Sequence, residues 1–156
     1  MRKSTAAILG TAALISVGAV WPVAGAGATG AVCNPNGTLQ GTVVRFCGPA
    51  TARLSVFPGL IFKGGTCSTK RDGSVTFKLA IGTRTQDARH NKGLPYFGMT
   101  VTGPLSNPTG GGVIAYTNGK RWGGAGTSFR GNARAGSFRL RGINGSSGTA
   151  SGSFEC

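Results

Sequence analysis

From Thr38 to Cys156 the chain is a succession of short segments with apolar residues at every second position, each cut off by glycine, proline, asparagine or serine. Period-2 alternation puts those side chains on one face of an extended strand, whereas a helix needs them every three or four residues. Ser74 to Ile81 is the clearest case: Val75, Phe77, Leu79 and Ile81 share one face, and Ser74, Thr76 and Lys78 the other. Tyr96 to Thr102 repeats the pattern with Phe97, Met99 and Val101 inward, and Ser137 to Arg141 does so with Phe138 and Leu140. Leu39 to Phe46, Ala52 to Phe57, Leu60 to Cys67, Val113 to Thr117 and the stretch Ala150 to Cys156 are further strand candidates. Asn118-Gly119 is the strongest hairpin signal, because a two-residue loop with both residues at positive φ matches the twist of the strands it joins. Thr83 to Leu94 is polar and irregular, and Pro104 to Gly112 is rich in glycine, proline and asparagine, so both are expected as loops. The fold class that follows is all-β: an antiparallel β-sandwich or small barrel, with the sandwich as the first expectation.

Residues 1–26 read as a secretory signal. Arg2 and Lys3 precede an uncharged apolar stretch from Ala6 to Trp21, and small-residue cleavage sites follow, ending at Ala26 or Ala28. Residues 27–156 then form one domain bound for an oxidising compartment, where cysteines pair. Gly30-Ala31-Val32 lacks the leucine-like and small residues that acylation of Cys33 would need, so Cys33 reads as a disulfide partner. Of the three pairings that four cysteines allow, Cys33–Cys47 is expected as a local staple and Cys67–Cys156 as a long-range one. The second would lock the final strand inward, with Cys156 beside Phe154. No segment beyond the leader is long and apolar enough to span a bilayer as a helix.

Seventeen basic residues, two of them in the leader, stand against Asp72, Asp87 and Glu155. That balance attracts polyanions. Lys120, Arg121, Trp122, Arg130, Arg134, Arg139 and Arg141 form the densest basic and aromatic group, and they are the candidate site for an anionic polymer or an envelope component. The bland account of the same residues is that outward charges keep edge strands from aggregating. Catalysis has little to stand on. His90 is the single histidine, Asp87 lies three residues before it, and no G-x-S-x-G elbow is present. The spacing of the cysteines and the lone histidine do not make a zinc set, so neither metal nor cofactor is expected. A small hydrolase using His90 is the alternative reading, and an inhibitor presenting the 83–94 or 103–112 loop is another.

The stretch Gly65-Thr66-Cys67-Ser68 continuing through Gly73-Ser74-Val75-Thr76-Phe77-Lys78-Leu79-Ala80-Ile81-Gly82 resembles a segment of the mycobacterial lipoprotein antigen family, small exported envelope proteins. Gly112 to Gly119, the Gly131 to Gly142 hairpin and the closing Phe154-Glu155-Cys156 are similar as well, in the same order. The resemblance implies a disulfide-closed β fold at the cell envelope, with no known catalytic residues and with Cys67 joined to Cys156. The acylated cysteine of that family has no counterpart here, and the Cys33 to Cys47 loop is extra.

Overall fold

A computed structural model describes residues 38–40, 43–85 and 94–156. They form ten strands: β1 (Thr38–Gln40), β2 (Val43–Arg45), β3 (Ala50–Leu54), β4 (Phe62–Ser68), β5 (Val75–Thr85), β6 (Tyr96–Thr102), β7 (Gly110–Thr117), β8 (Lys120–Gly131), β9 (Ala135–Gly142) and β10 (Thr149–Glu155). No helix occurs among the described residues. From β3 to β10 each strand pairs antiparallel with the next, and β10 returns to pair with β3. The eight strands therefore close into an up-and-down barrel rather than the expected sandwich. Closure leaves no free edge among these eight strands. The β1–β2 hairpin is appended to the far end of β5, where Arg45 faces Thr83.

Eight strands enclose a lumen only wide enough for side chains. Here it is filled by Phe57, Phe62, Phe77, Phe97, Phe129, Phe138, Phe154 and Trp122, together with smaller apolar residues from β3, β5, β6, β7, β9 and β10. So many rings fit because glycines lie beneath them. A Cβ on Gly152 would come within 2.3 Å of the Phe138 ring, its cross-strand partner. One on Gly136 would meet its own partner Phe154 at 2.7 Å, and one on Gly111 would meet Phe129 at 2.6 Å. Gly124 lies under Trp122 of its own strand. Large and small residues thus alternate across the lumen, which is how a narrow barrel reaches close packing. The outward positions are Ala135, Ser137, Arg139 and Arg141 on β9, and Thr149, Ser151, Ser153 and Glu155 on β10. On these two strands the faces are apolar inward and largely polar outward, the reverse of a lipid-facing wall.

Cys67 and Cys156 are joined, with Cα atoms 5.8 Å apart and a sequence separation of 89. Cys67 sits on β4 and Cys156 directly follows β10, so the bridge ties together the two strands that flank β3 at the seam of the barrel. Both cysteines pack against the core, and Phe154 lies 5.2 Å from Phe77 between ring centroids. Cys33, the leader and its cleavage sites lie outside the described residues. The Asn118-Gly119 turn forms as expected, with φ of 45° and 74°. Several boundaries differ from expectation: β5 runs on to Thr85, Leu39 to Phe46 is a hairpin of two short strands rather than one, β3 stops at Leu54 rather than Phe57, and β7 begins at Gly110, inside the stretch expected as a loop. Gly82 permits the first change. Its φ of +80° bends β5 after β4 has turned away, and the freed edge takes β2.

Candidate functional site

The seven residues grouped from the sequence do not converge. Trp122 faces the lumen, only 5 % exposed, because it pairs with inward Ala115 across the hairpin that Asn118-Gly119 sets. Its Nε1–H is buried without a partner. Lys120 and Arg121 open the 12-residue strand β8, while Arg130 stands near its other end. At about 3.3 Å per residue that separation is roughly 30 Å. A bulge between Ala125 and Ser128 reverses the alternation, so Arg130 points outward although it has the same parity as Trp122. Arg134 lies in the β8–β9 turn, where its carbonyl accepts a hydrogen bond from Cys156 N–H at 2.6 Å. Asp87 and His90, the pair behind the hydrolase alternative, lie outside the described residues.

Two surfaces emerge instead. The first is the outer wall of β8, β9, β10 and β3. Register places Arg130, Ser137, Ser153 and Arg53 in one cross-strand row, with Arg139 beside Ser151 and Arg141 beside Thr149. Strands about 4.8 Å apart put Arg130 and Arg53 roughly 14 Å from one another, and Arg139 and Arg141 about 7 Å apart along β9. All four arginines are exposed, and hydroxyl residues fill most positions between them. Glu155 is the one acidic residue on this wall, at its rim.

The second surface is a hollow across the outside of β5 to β8, with a volume of about 500 Å³. A barrel wall is normally convex. Small outward residues on four neighbouring strands sink this one: Ala80, Gly98, Gly112 and Gly123. One end is an aromatic ladder. Tyr96 and Tyr116 are cross-strand partners, stacked at 5.7 Å, and Phe46 lies 6.1 Å beyond Tyr96. The Tyr96 ring reclines over Gly98, whose added Cβ would lie 2.4 Å from the phenol oxygen. Arg121 stands over the Tyr116 ring at 5.7 Å, within cation–π reach. Burial pushes the Tyr96 hydroxyl above its ordinary pKa, opposed by a hydrogen bond and charge from Arg84 and assisted by the neighbouring Tyr116.

The turn after β9 borders the hollow along β8, one outward position on from Arg121. Ile143 N–H donates to Gly123 carbonyl and Gly123 N–H donates to Ser146 Oγ, both at 2.9 Å. These bonds pin the turn to β8 and leave Ile143 43 % exposed at the mouth of the hollow. Lys78, on the same wall, is ion-paired with Asp72, whose carboxyl it holds below the usual range. Tyr96, Arg84, Phe46 and Ile143 were not singled out in the sequence. The Tyr116–Arg121 pair was within reach there, because the two-residue turn fixes which residues of β7 and β8 face each other.

No group of three or more metal-binding side chains occurs among the described residues. No helix among them is long and apolar enough to cross a membrane. Comparison of the chain with protein-family models, with curated proteins and with solved structures finds no match.

Proposed function

We propose that this chain is an exported, non-catalytic β-barrel that binds an anionic polymer at the cell envelope, and that the arginine wall of β8, β9, β10 and β3 is the contact surface. The observation that carries the reading is the arginine lattice itself. Arg53, Arg130, Arg139 and Arg141 are outward and separated by short hydroxyl side chains, with Glu155 alone opposing them. Arginine binds phosphate and sulfate in a bidentate manner, and Ser and Thr hydroxyls add hydrogen bonds at the same depth. The wall lacks sequence-reading features, so recognition rests on charge density and spacing. Of the seven residues proposed from sequence, Arg130, Arg139 and Arg141 stay in this surface and Arg53 joins them. Export through residues 1–26 and a second bridge, Cys33–Cys47, belong to the same proposal, as does the envelope setting that the resemblance implies.

The test is salt-dependent retention on immobilised heparin. Changing Arg139 and Arg141 to Ala should lower the eluting salt, and the slope of log affinity against log salt should fall by about one for each arginine that meets a charge. Lys70→Ala with Arg71→Ala removes the same charge away from the wall and serves as the comparison. Equal losses from both pairs would reduce the effect to net charge and end the reading.

A further inference from the structure

We propose that the hollow across β5 to β8 is a second, separate binding site, for a small anionic amphiphile: an apolar body bearing one carboxylate or phosphate group. The inference goes beyond the polymer reading and does not rest on it, since the hollow and the arginine wall lie on different strands for most of their extent.

Three features lead to that ligand. The first is shape. A volume of about 500 Å³ falls within the roughly 300–1,000 Å³ range of small-molecule pockets. It is preformed, because backbone hydrogen bonds from Gly123 hold both the floor strand and the bordering turn. The second is polarity. Ile114 and Ile143 offer aliphatic surface on either side of Gly123, and beyond Ile114 the floor continues over Gly98 and Ala80, backbone that a chain or ring can approach closely. Ile143 is one of only three large apolar residues exposed among those described, and it is held there by a pinned turn rather than by a fraying one. The third is charge. Arg84, Arg121 and Lys78 line the hollow, and the carboxylate of Asp72 pairs with Lys78 alone among these cations in the described residues. Arg121 lies against the Tyr116 face and Arg84 against the Tyr96 hydroxyl, so both guanidinium groups are oriented with donors left over for an anion. An anionic head at the Tyr116–Arg121 end with its apolar body toward Ile143 satisfies all three.

The full chain, exported and oxidised, is titrated by calorimetry with dodecyl phosphate and with dodecanoate, each below its micelle concentration. Dodecyl maltoside supplies the same tail without charge, and inorganic phosphate supplies the head without a tail. Saturable one-to-one binding of the anionic amphiphiles is expected, with the maltoside weaker and free phosphate undetected. Loss of a charge-assisted hydrogen bond in Arg121→Gln should weaken binding about tenfold. Ile143→Ser, at an exposed position outside the core, should weaken it by a similar factor, and shortening the tail to octyl should shrink that second effect. Arg139→Gln should change nothing. Equal affinity for the maltoside and the phosphate ester overturns the proposal, as does insensitivity to both Arg121→Gln and Ile143→Ser. A loss that appears in Arg139→Gln and not in Arg121→Gln overturns it too, and leaves the arginine wall standing.

Discussion

Replacing Gly124 with alanine tests the packing rule on which the barrel is built. A Cβ at this position would lie 2.1, 2.6 and 2.9 Å from Cη2, Cζ3 and Cζ2 of Trp122, and those three atoms are its nearest neighbours. Ordinary carbon contacts lie near 3.5–4.0 Å, so the indole would have to move by more than an ångström. It has little room, being 5 % exposed and enclosed by the core. Overpacking of this kind costs about 1–3 kcal/mol. Replacing glycine also restricts the unfolded chain, which returns about 0.4–1 kcal/mol. The net expectation is a loss of about 1–2 kcal/mol, or roughly 4–8 °C in Tm for a domain of this size.

The second half of the cycle gives the experiment its force. Trp122→Leu removes the ring and leaves a partial cavity, which costs about 2–4 kcal/mol. It also removes the unpartnered Nε1–H, whose burial without a hydrogen bond costs about 1–3 kcal/mol, so the observed loss should lie near the lower end. In that background Gly124→Ala has nothing to strike and should be neutral or stabilising. The coupling energy between the two positions is then about 2 kcal/mol, measured by urea unfolding followed by far-ultraviolet circular dichroism. Additivity within about 0.5 kcal/mol would show that the ring does not need its glycine, and the large-over-small account of the lumen would fall with it.

Reducing the Cys67–Cys156 bridge, or replacing both residues with serine, should destabilise the domain by up to about 4–5 kcal/mol, because the denatured chain regains the freedom of an 89-residue loop; an unmoved denaturation midpoint would refute that. Tyr96 gives a pH dependence with a definite sign. Its folded pKa is raised, chiefly by burial, so the folded state keeps a proton that the unfolded state gives up. Stability should fall as pH climbs past the ordinary phenol value near 10 and stop falling above the folded value. Tyr96→Phe should flatten that slope in unfolding curves taken between about pH 9 and 11.5, and an unchanged slope would assign it to other groups.

Alternation made most strands legible. Phe77, Leu79 and Ile81 needed no neighbour to declare their face, although Val75, expected beside them, falls outside the core where β5 shifts register against β6, and the Asn118-Gly119 turn fixed one hairpin register outright. The same rule, applied strictly, separates Arg121 from Trp122: adjacent residues of a strand cannot share a face, and Ala115 opposite Trp122 decides which is buried. Arg130 is different. Its outward position depends on a bulge in a run of Gly, Ala, Thr and Ser where no side chain signals a change of register. Closure was also hidden, because the β3–β10 pairing joins residues about a hundred positions apart and local periodicity reads the same in a sandwich and a barrel. What the sequence did contain, unread, was the clue to how the interior is filled. Gly111, Gly136 and Gly152 fall at inward positions, where glycine forfeits core volume unless a ring from elsewhere occupies the space. Seven inward phenylalanines and a tryptophan supply rings to the lumen, and those over these three glycines come from neighbouring strands. A lumen filled in this way has no room for a guest, unlike barrels that hold a ligand at their centre. The recognition proposed above therefore falls to the outer wall, where arginines stand on one side and a glycine-floored hollow opens on the other.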